Sequence, residues 1–205
     1  SLDESDELIG VLLTEGDSDV IVTTKEGMSI RFSEDDVRAM GRAARGVRAI
    51  TLDDGDEAVN VAAVAAEVVD AAQESDESGP ALLTVCENGF GKRTPITEYR
   101  RQSRGGKGVI DIKTQERNGP VVGSCVVESR DEMMLITTGG KVIRIEVKGI
   151  SQIGRNTMGV NLVSLDEGES VAAIARLADK SESDEEPAGN GAGAAPDDDP
   201  DSDSE

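Results

Sequence analysis

The sequence contains no histidine and no tryptophan, and its only cysteines are Cys86 and Cys125. Aromatic rings are confined to Phe32, Phe90 and Tyr99. Each shortage removes a class of chemistry. Without histidine, neither a Ser-His nor a Cys-His nucleophile can be assembled. Two isolated cysteines, with no CxxC and no His, exclude ordinary zinc spacing and favour a reducing compartment. No run nears the roughly eighteen uncharged apolar residues of a membrane span. The opening "SLDESDELIG" lacks the basic n-region of a signal peptide. With so few rings, the core must be built from Val, Ile, Leu, Met and Ala. Base stacking has no aromatic ladder to use, which argues against single-strand or sequence-specific RNA recognition.

Positive charge is also scarce. Across 205 residues, 42 acids face 21 bases, a formal net charge of −21. Residues 181–205 hold ten acids and no base among Gly, Ala, Pro and Ser. Such a composition buries too little apolar surface to order itself, so a disordered acidic tail is expected over 179–205. The remaining excess is spread through turns such as "TLDDGDE" and "SEDD". A diffuse acidic surface over an ordinary apolar core suggests a salt-rich cytoplasm, as in halophiles, with a merely acidic mesophilic protein as the alternative.

What is present is repetition. "VIVTTKEGMSIRFSEDDVRAMGRAARGVRAITL", "LLTVCENGFGKRTPITEYRRQSRGGKGVIDI" and "MMLITTGGKVIRIEVKGISQIGRNTMGVNLVSL" superimpose without gaps through their first halves. Each has Gly-x-x-x-Arg, at Gly27 to Arg31, Gly89 to Arg93 and Gly140 to Arg144. A second arginine follows at a constant interval (Arg42, Arg104, Arg155), then Gly-Val at Gly46, Gly108 and Gly159. The expected units are repeats at 17–66, 80–129 and 131–178, with 1–16 as the end of a preceding unit. Residues 67–79 form a short helix or acidic linker between the first two repeats. A repeat ending without a repeat body before it suggests a fragment or truncated product of a longer array.

Each repeat reads as four short strands. In the first, Val20–Thr24 and Met28–Phe32 flank a Lys25-Glu26-Gly27 turn, and Val47–Leu52 and Ala58–Val64 follow. Four strands per roughly fifty residues match propeller-like blades, with a β-sandwich or β-solenoid as competitors. Gly46, Gly105, Gly106, Gly108 and Gly159 are expected to shape the loops. The arginine of Gly-x-x-x-Arg has two readings: a pair with an acid within its blade, or an outward phosphate contact.

The middle repeat runs against the overall charge. Between Lys92 and Arg117 stand eight bases and three acids. Bases retained in so acidic a chain imply an anionic partner, and backbone contact with duplex DNA fits best. The candidate phosphate contacts are Arg42, Arg45, Lys92, Arg93, Arg100, Arg101, Arg104, Lys107 and Arg155. Gly91-Lys92 and Gly106-Lys107 are not phosphate loops, since neither lysine is followed by Ser or Thr. Nothing points to a metal. Tyr99, without an acidic metal cluster, is not a strand-cleaving residue.

"VCENGFGKRTPITEYRRQSRGGKG", "IRFSEDDVRAMGRAARGVRAI" and "GISQIGRNTMGVNLVSLDEGESVAAIARL" together resemble the C-terminal domain of the DNA gyrase A subunit, over residues 3 to 178. The resemblance implies an all-β fold, a β-pinwheel of four-stranded antiparallel blades whose basic rim wraps duplex DNA in support of ATP-dependent negative supercoiling. It implies as partners the rest of the gyrase A subunit, with the gyrase B subunit in a heterotetramer, and a cytoplasmic, nucleoid-associated protein with no membrane. No cofactor belongs to this chain, ATP and Mg2+ being used elsewhere in the holoenzyme. The family's box, Gln-Arg/Lys-Arg-Gly-Gly-Arg/Lys-Gly, is matched by Gln102 to Gly108 except for Ser103. It therefore resembles a degenerate late-blade copy, with the full box and the catalytic-tyrosine domain expected upstream. The corresponding C-terminal domain of topoisomerase IV and a propeller-like protein-interaction module are the alternatives.

Overall fold

The computed structural model describes residues 2, 6–74 and 79–177. The acidic tail expected at 179–205 lies outside the described residues.

Three hairpins begin the three units. They are β1 (Ser18–Thr24) with β2 (Met28–Ser33), β4 (Ala81–Cys86) with β5 (Phe90–Pro95), and β8 (Glu132–Thr137) with β9 (Val142–Glu146). β-Branched and aliphatic residues favour extended chain. A glycine with φ near +80° closes each turn, at Gly27, Gly89 and Gly140, the φ values being 82°, 79° and 81°. Its N–H donates to the carbonyl of Thr24, Cys86 or Thr137 at 2.9–3.1 Å. Thr24 and Thr137 also accept a backbone N–H on Oγ1, from Met28 and Lys141. A 3-10 turn follows each hairpin, at 34–36, 96–98 and 147–149.

The expected fourth strand forms as β3 (Ala58–Ala65), and its counterparts are β7 (Val121–Val127) and β11 (Val171–Leu177). Each pairs antiparallel with the first strand of its own repeat. The third strand departs from expectation. No strand forms over 47–52. Instead β6 (Val109–Ile110) and β10 (Val160–Asn161) add to the sheet of the repeat before them. The strand orders are β3-β1-β2-β6, β10-β5-β4-β7 and β11-β8-β9. The blades are antiparallel and four-stranded as expected for the first two, but the outer strand of each comes from its successor.

Glycine makes the exchange possible. Gly108 has φ +78°, and a Cβ there would run into the Ser29 carbonyl. Gly159 has φ +77°, and its Cβ would lie 2.6 Å from the Gly91 oxygen. Only a residue without Cβ brings the two backbones to ladder distance.

The core is mainly aliphatic: Val22, Ile30, Phe32 and Ile50 cluster within the first repeat, and other clusters lie between blades. Ala81, Leu83, Val85, Met133, Leu135, Val147 and Ile150 join the second and third. Helix α1 (Ala66–Glu74) fills the stretch after the first repeat and contributes its one buried residue, Val69, to Ile21, Val64, Leu82, Ile96 and Tyr99. That cluster includes Tyr99, the residue from which the loop starting at Arg100 springs.

Candidate nucleic-acid interface

Residues 100–108 lie across residues 29–51 of the preceding repeat. The Gln102 N–H donates to the Arg31 carbonyl at 2.8 Å, and the Gly105 N–H to that of Ala49 at 2.6 Å. In return the Thr51 N–H donates to the Gly106 carbonyl at 2.8 Å. Arg104 locks the two segments, with Nε on the Asp36 carbonyl and Nη1 on the Arg48 carbonyl at 2.8 Å. Arg155 repeats the device one blade on, donating Nη1 to the Ile110 carbonyl at 3.0 Å. Arg48 and Ile110 each stand two residues beyond the Gly of Gly-Val, so the two staples are equivalent.

Locking these segments brings two basic loops together. Arg42 and Arg45 on one, and Arg100, Arg101 and Lys107 on the other, are exposed. Arg38 and Arg48, also exposed, belong to the same rim but are absent from the expected phosphate contacts. The signal is in the sequence: "VRAMGRAARGVR" holds four arginines. Arg101 is held by an ion pair from Nε to Asp19 Oδ1 at 2.8 Å, with 45% of its side chain still exposed. The hydrogen bond to Asp19 raises its pKa further. Lys107 pairs with Asp53, both exposed to solvent. Arg100 Nη2 reaches Gln102 Oε1 at 3.5 Å.

Three expectations need correction. Lys92 is fully buried, and its Nζ donates to the carbonyls of Asp111 (2.6 Å), Gly154 (2.8 Å) and Arg155. All three ammonium protons are used inside the protein, so it cannot touch phosphate. Arg93 is half-buried, with Nε on the Ile150 carbonyl at 2.7 Å and Nη1 on Ser129 Oγ at 2.9 Å. It ties the second blade to the third. Gly106 has ordinary backbone angles, and a Cβ there would meet nothing closer than 3.7 Å. Its neighbour Gly105 does need glycine, with φ +83°.

The Gly-x-x-x-Arg arginines split between the two readings. Arg31, 2% exposed, pairs with the buried Asp19 and donates to the Tyr99 carbonyl at 3.0 Å. Arg144 pairs with Glu132. Asp19 and Glu132 occupy equivalent strand positions, and Ala81 stands there in the second blade, which is why Arg93 turns to carbonyls instead.

Behind the rim is a polar cluster that only the middle repeat has. Asp111, fully buried, accepts from Thr84 Oγ1 at 2.6 Å and from Tyr99 Oη at 2.5 Å. Arg155 lies 6.0 Å above the Tyr99 ring. Burial pushes the Lys92 ammonium down to about 8, against the pull of Asp111 and Glu98. The same burial raises the Asp111 carboxyl, which Lys92, Thr84 and Tyr99 partly offset. Tyr99 is raised well above 10, first by burial and then by Asp111. A buried phenol held in this way is a structural group, not a nucleophile. Among the described residues, no three side chains gather as a metal site, and no helix is long and apolar enough to cross a membrane.

Residues 18–65, 81–123 and 131–178 match the family described as "DNA gyrase C-terminal domain, beta-propeller". The chain belongs to this gyrase family. The DNA gyrase A subunit of Haloquadratum walsbyi is 46% identical over 187 residues, covering 90% of this chain and 21% of that protein. That relative accords with reading the acid excess as salt adaptation. The DNA gyrase A subunit of Klebsiella oxytoca is 43% identical over 199 residues, covering 97% of the chain and 21% of its own length. The chain thus spans about one fifth of the gyrase proteins it matches. A solved "DNA gyrase A C-terminal domain" superimposes with a TM-score of 0.69 at 28% identity, covering 80% of this chain and 52% of that one. The C-terminal domain of DNA topoisomerase IV gives 0.76 at 22% identity, covering 86% and 52%, a likeness of fold alone.

Proposed function

We propose that this chain is a non-catalytic, DNA-wrapping part of the gyrase A subunit, gripping duplex DNA by its phosphates along the blade rim. One observation carries the reading. Two successive arginine loops, 38–48 and 100–107, are locked edge to edge in a protein of net charge −21. Arginine at regular intervals on a rigid support suits a phosphate path, and it reads no base sequence. Bending duplex over such a rim assists supercoiling by a type IIA topoisomerase whose strand-cleaving tyrosine, ATP site and Mg2+ belong to other parts. Its partners in that reading are the remainder of the gyrase A subunit, together with the gyrase B subunit, in a cytoplasmic, nucleoid-bound heterotetramer.

Replacing Arg100, Arg101 and Lys107 together by alanine tests the reading. Arg104, the staple that locks the loop, is left in place, and because Arg101 also pairs with the buried Asp19, thermal unfolding checks that the variant folds. Duplex binding weakens similarly for all sequences, and the log–log salt slope falls by roughly 0.9 for each phosphate no longer neutralised. Titrations at several KCl concentrations measure this. An unchanged slope means the rim touches no phosphate.

A further inference from the structure

We propose that Lys92 is a positioning residue for duplex binding, its buried ammonium setting the spacing between the 100–107 loop and the Arg155 loop. The proposal rests on the duplex-binding reading above and deepens it.

The geometry joins two loops at one nitrogen. Lys92 Nζ holds the Asp111 carbonyl, which follows the basic loop, and the carbonyls of Gly154 and Arg155, which form the next loop. Arg155 then spans the gap, with Nη1 on Ile110 and its guanidinium over Tyr99. Tyr99 directly precedes Arg100 and Arg101 and is pinned by Asp111. Lys92, Asp111 and Tyr99 thus fix where two successive arginine loops stand relative to each other.

Comparison within the chain argues that folding does not require this cluster. Counted from the hairpin glycine, Lys92 stands where the other repeats have Ile30 and Ile143. Counted from Gly-Val, Asp111 stands where they have Ala49 and Leu162. Thr84 corresponds to Val22 and Leu135 in the same way. Apolar side chains fill these sites in two blades, and the polar set appears in the repeat with the most basic loop. Buried ionic groups are poor stabilisers compared with apolar replacements, so a gain in placement rather than in stability explains them.

The groups facing Lys92 are the carboxylates of Asp111 and Glu98, the Arg155 guanidinium and the Cys86 thiol. Burial lifts Cys86 to about 12, and Tyr99 also lies well above 10. Of Lys92, Cys86 and Tyr99, only Lys92 changes charge near pH 8. Its deprotonation removes one of three donors and the charge on the others, which loosens the Arg155 loop.

The test uses the whole chain, a plain duplex and the double variant Lys92→Ile/Asp111→Ala, which copies the first repeat. Folding is checked by thermal unfolding. The variant is expected to bind duplex with a salt slope lower by about 1, as the two loops fall out of register with the phosphate path and one contact is lost. Wild-type slope is expected to fall in the same way as pH rises through about 8, while the variant stays flat. A folded variant with the wild-type slope overturns the proposal. If the variant fails to fold, the wild-type pH profile decides alone, and a slope constant across the titration of Lys92 overturns it. Failure of the wild type to bind duplex at all overturns the duplex reading, and this inference with it.

Discussion

Alanine at Gly108 detaches the borrowed strand of the first blade. Placing Ala at φ +78° costs about 1–2 kcal/mol by itself. The new Cβ also collides with the Ser29 carbonyl, which is backbone and cannot swing aside. β6 must then leave β2, losing hydrogen bonds worth about 1 kcal/mol each. A total of about 3–5 kcal/mol is expected, a large part of a domain's stability. Two other glycines calibrate the result. Gly46 has φ +84° but nothing within 4 Å of a Cβ, so Gly46→Ala carries only the backbone cost. Gly106 has neither problem, and Gly106→Ala is expected to be near neutral. Urea unfolding of the three variants in one salt buffer should rank Gly108 far above Gly46, and Gly46 above Gly106. Equal losses would mean that the exchanged strand contributes nothing.

Asp111→Leu is the second large effect. The substitution copies the third repeat's Leu162 but leaves the Lys92 ammonium buried without its carboxylate. Thr84 Oγ1 and Tyr99 Oη lose their buried acceptor at about 1–3 kcal/mol each, and the buried ammonium loses a compensating charge. Adding Lys92→Ile, which matches Ile143, should restore the part of the loss that comes from the uncompensated ammonium. The sign with pH follows from the lysine. Its folded pKa of about 8 lies below the ordinary 10.5, so the unfolded chain binds more protons between those values. Stability from this group therefore rises as pH climbs from about 8 to 10.5. Without the Asp111 carboxylate the single variant's lysine titrates lower still, so its deficit against the wild type should shrink as pH climbs towards about 8 and stay level above it, while the double variant, lacking the lysine, should show no such recovery. Equal deficits in both variants at every pH would show that the charge is not what matters.

The array is legible in the sequence because its landmarks carry their own explanation. Gly27, Gly89 and Gly140 mark turns that only glycine makes easily, and the β-branched runs around them read as hairpins. The strand exchange is not legible. Val47 and Val109 sit in the same local pattern, and nothing local says which neighbour's edge each one joins. Charge misleads at Lys92, where a lysine in a basic stretch has the look of a phosphate contact. Its partner Asp111 lies far along the chain, and burial is a property of the fold. A usable signal is present nonetheless. Lys92 and Asp111 are joint departures from apolar residues in the other two repeats, as a compensating pair would be. Arg93 is obscured similarly, because the acid that occupies Arg31 and Arg144 is missing at Ala81.

Borrowing the outer strand also constrains how such an array grows over evolutionary time. Among the described residues the second and third repeats each bring a donor strand and the first and second each offer an acceptor edge, complementary across the junction, as β6 on β2 and β10 on β5 illustrate. A tandem duplication of a whole repeat therefore inserts a new blade whose borders already fit both neighbours. An excision drawn around a finished sheet does the opposite, taking β6 from its own repeat and leaving the next blade's loop without an anchor. Blade number is thus free to drift between lineages, whereas the phase at which the gene is cut and rejoined is held by selection.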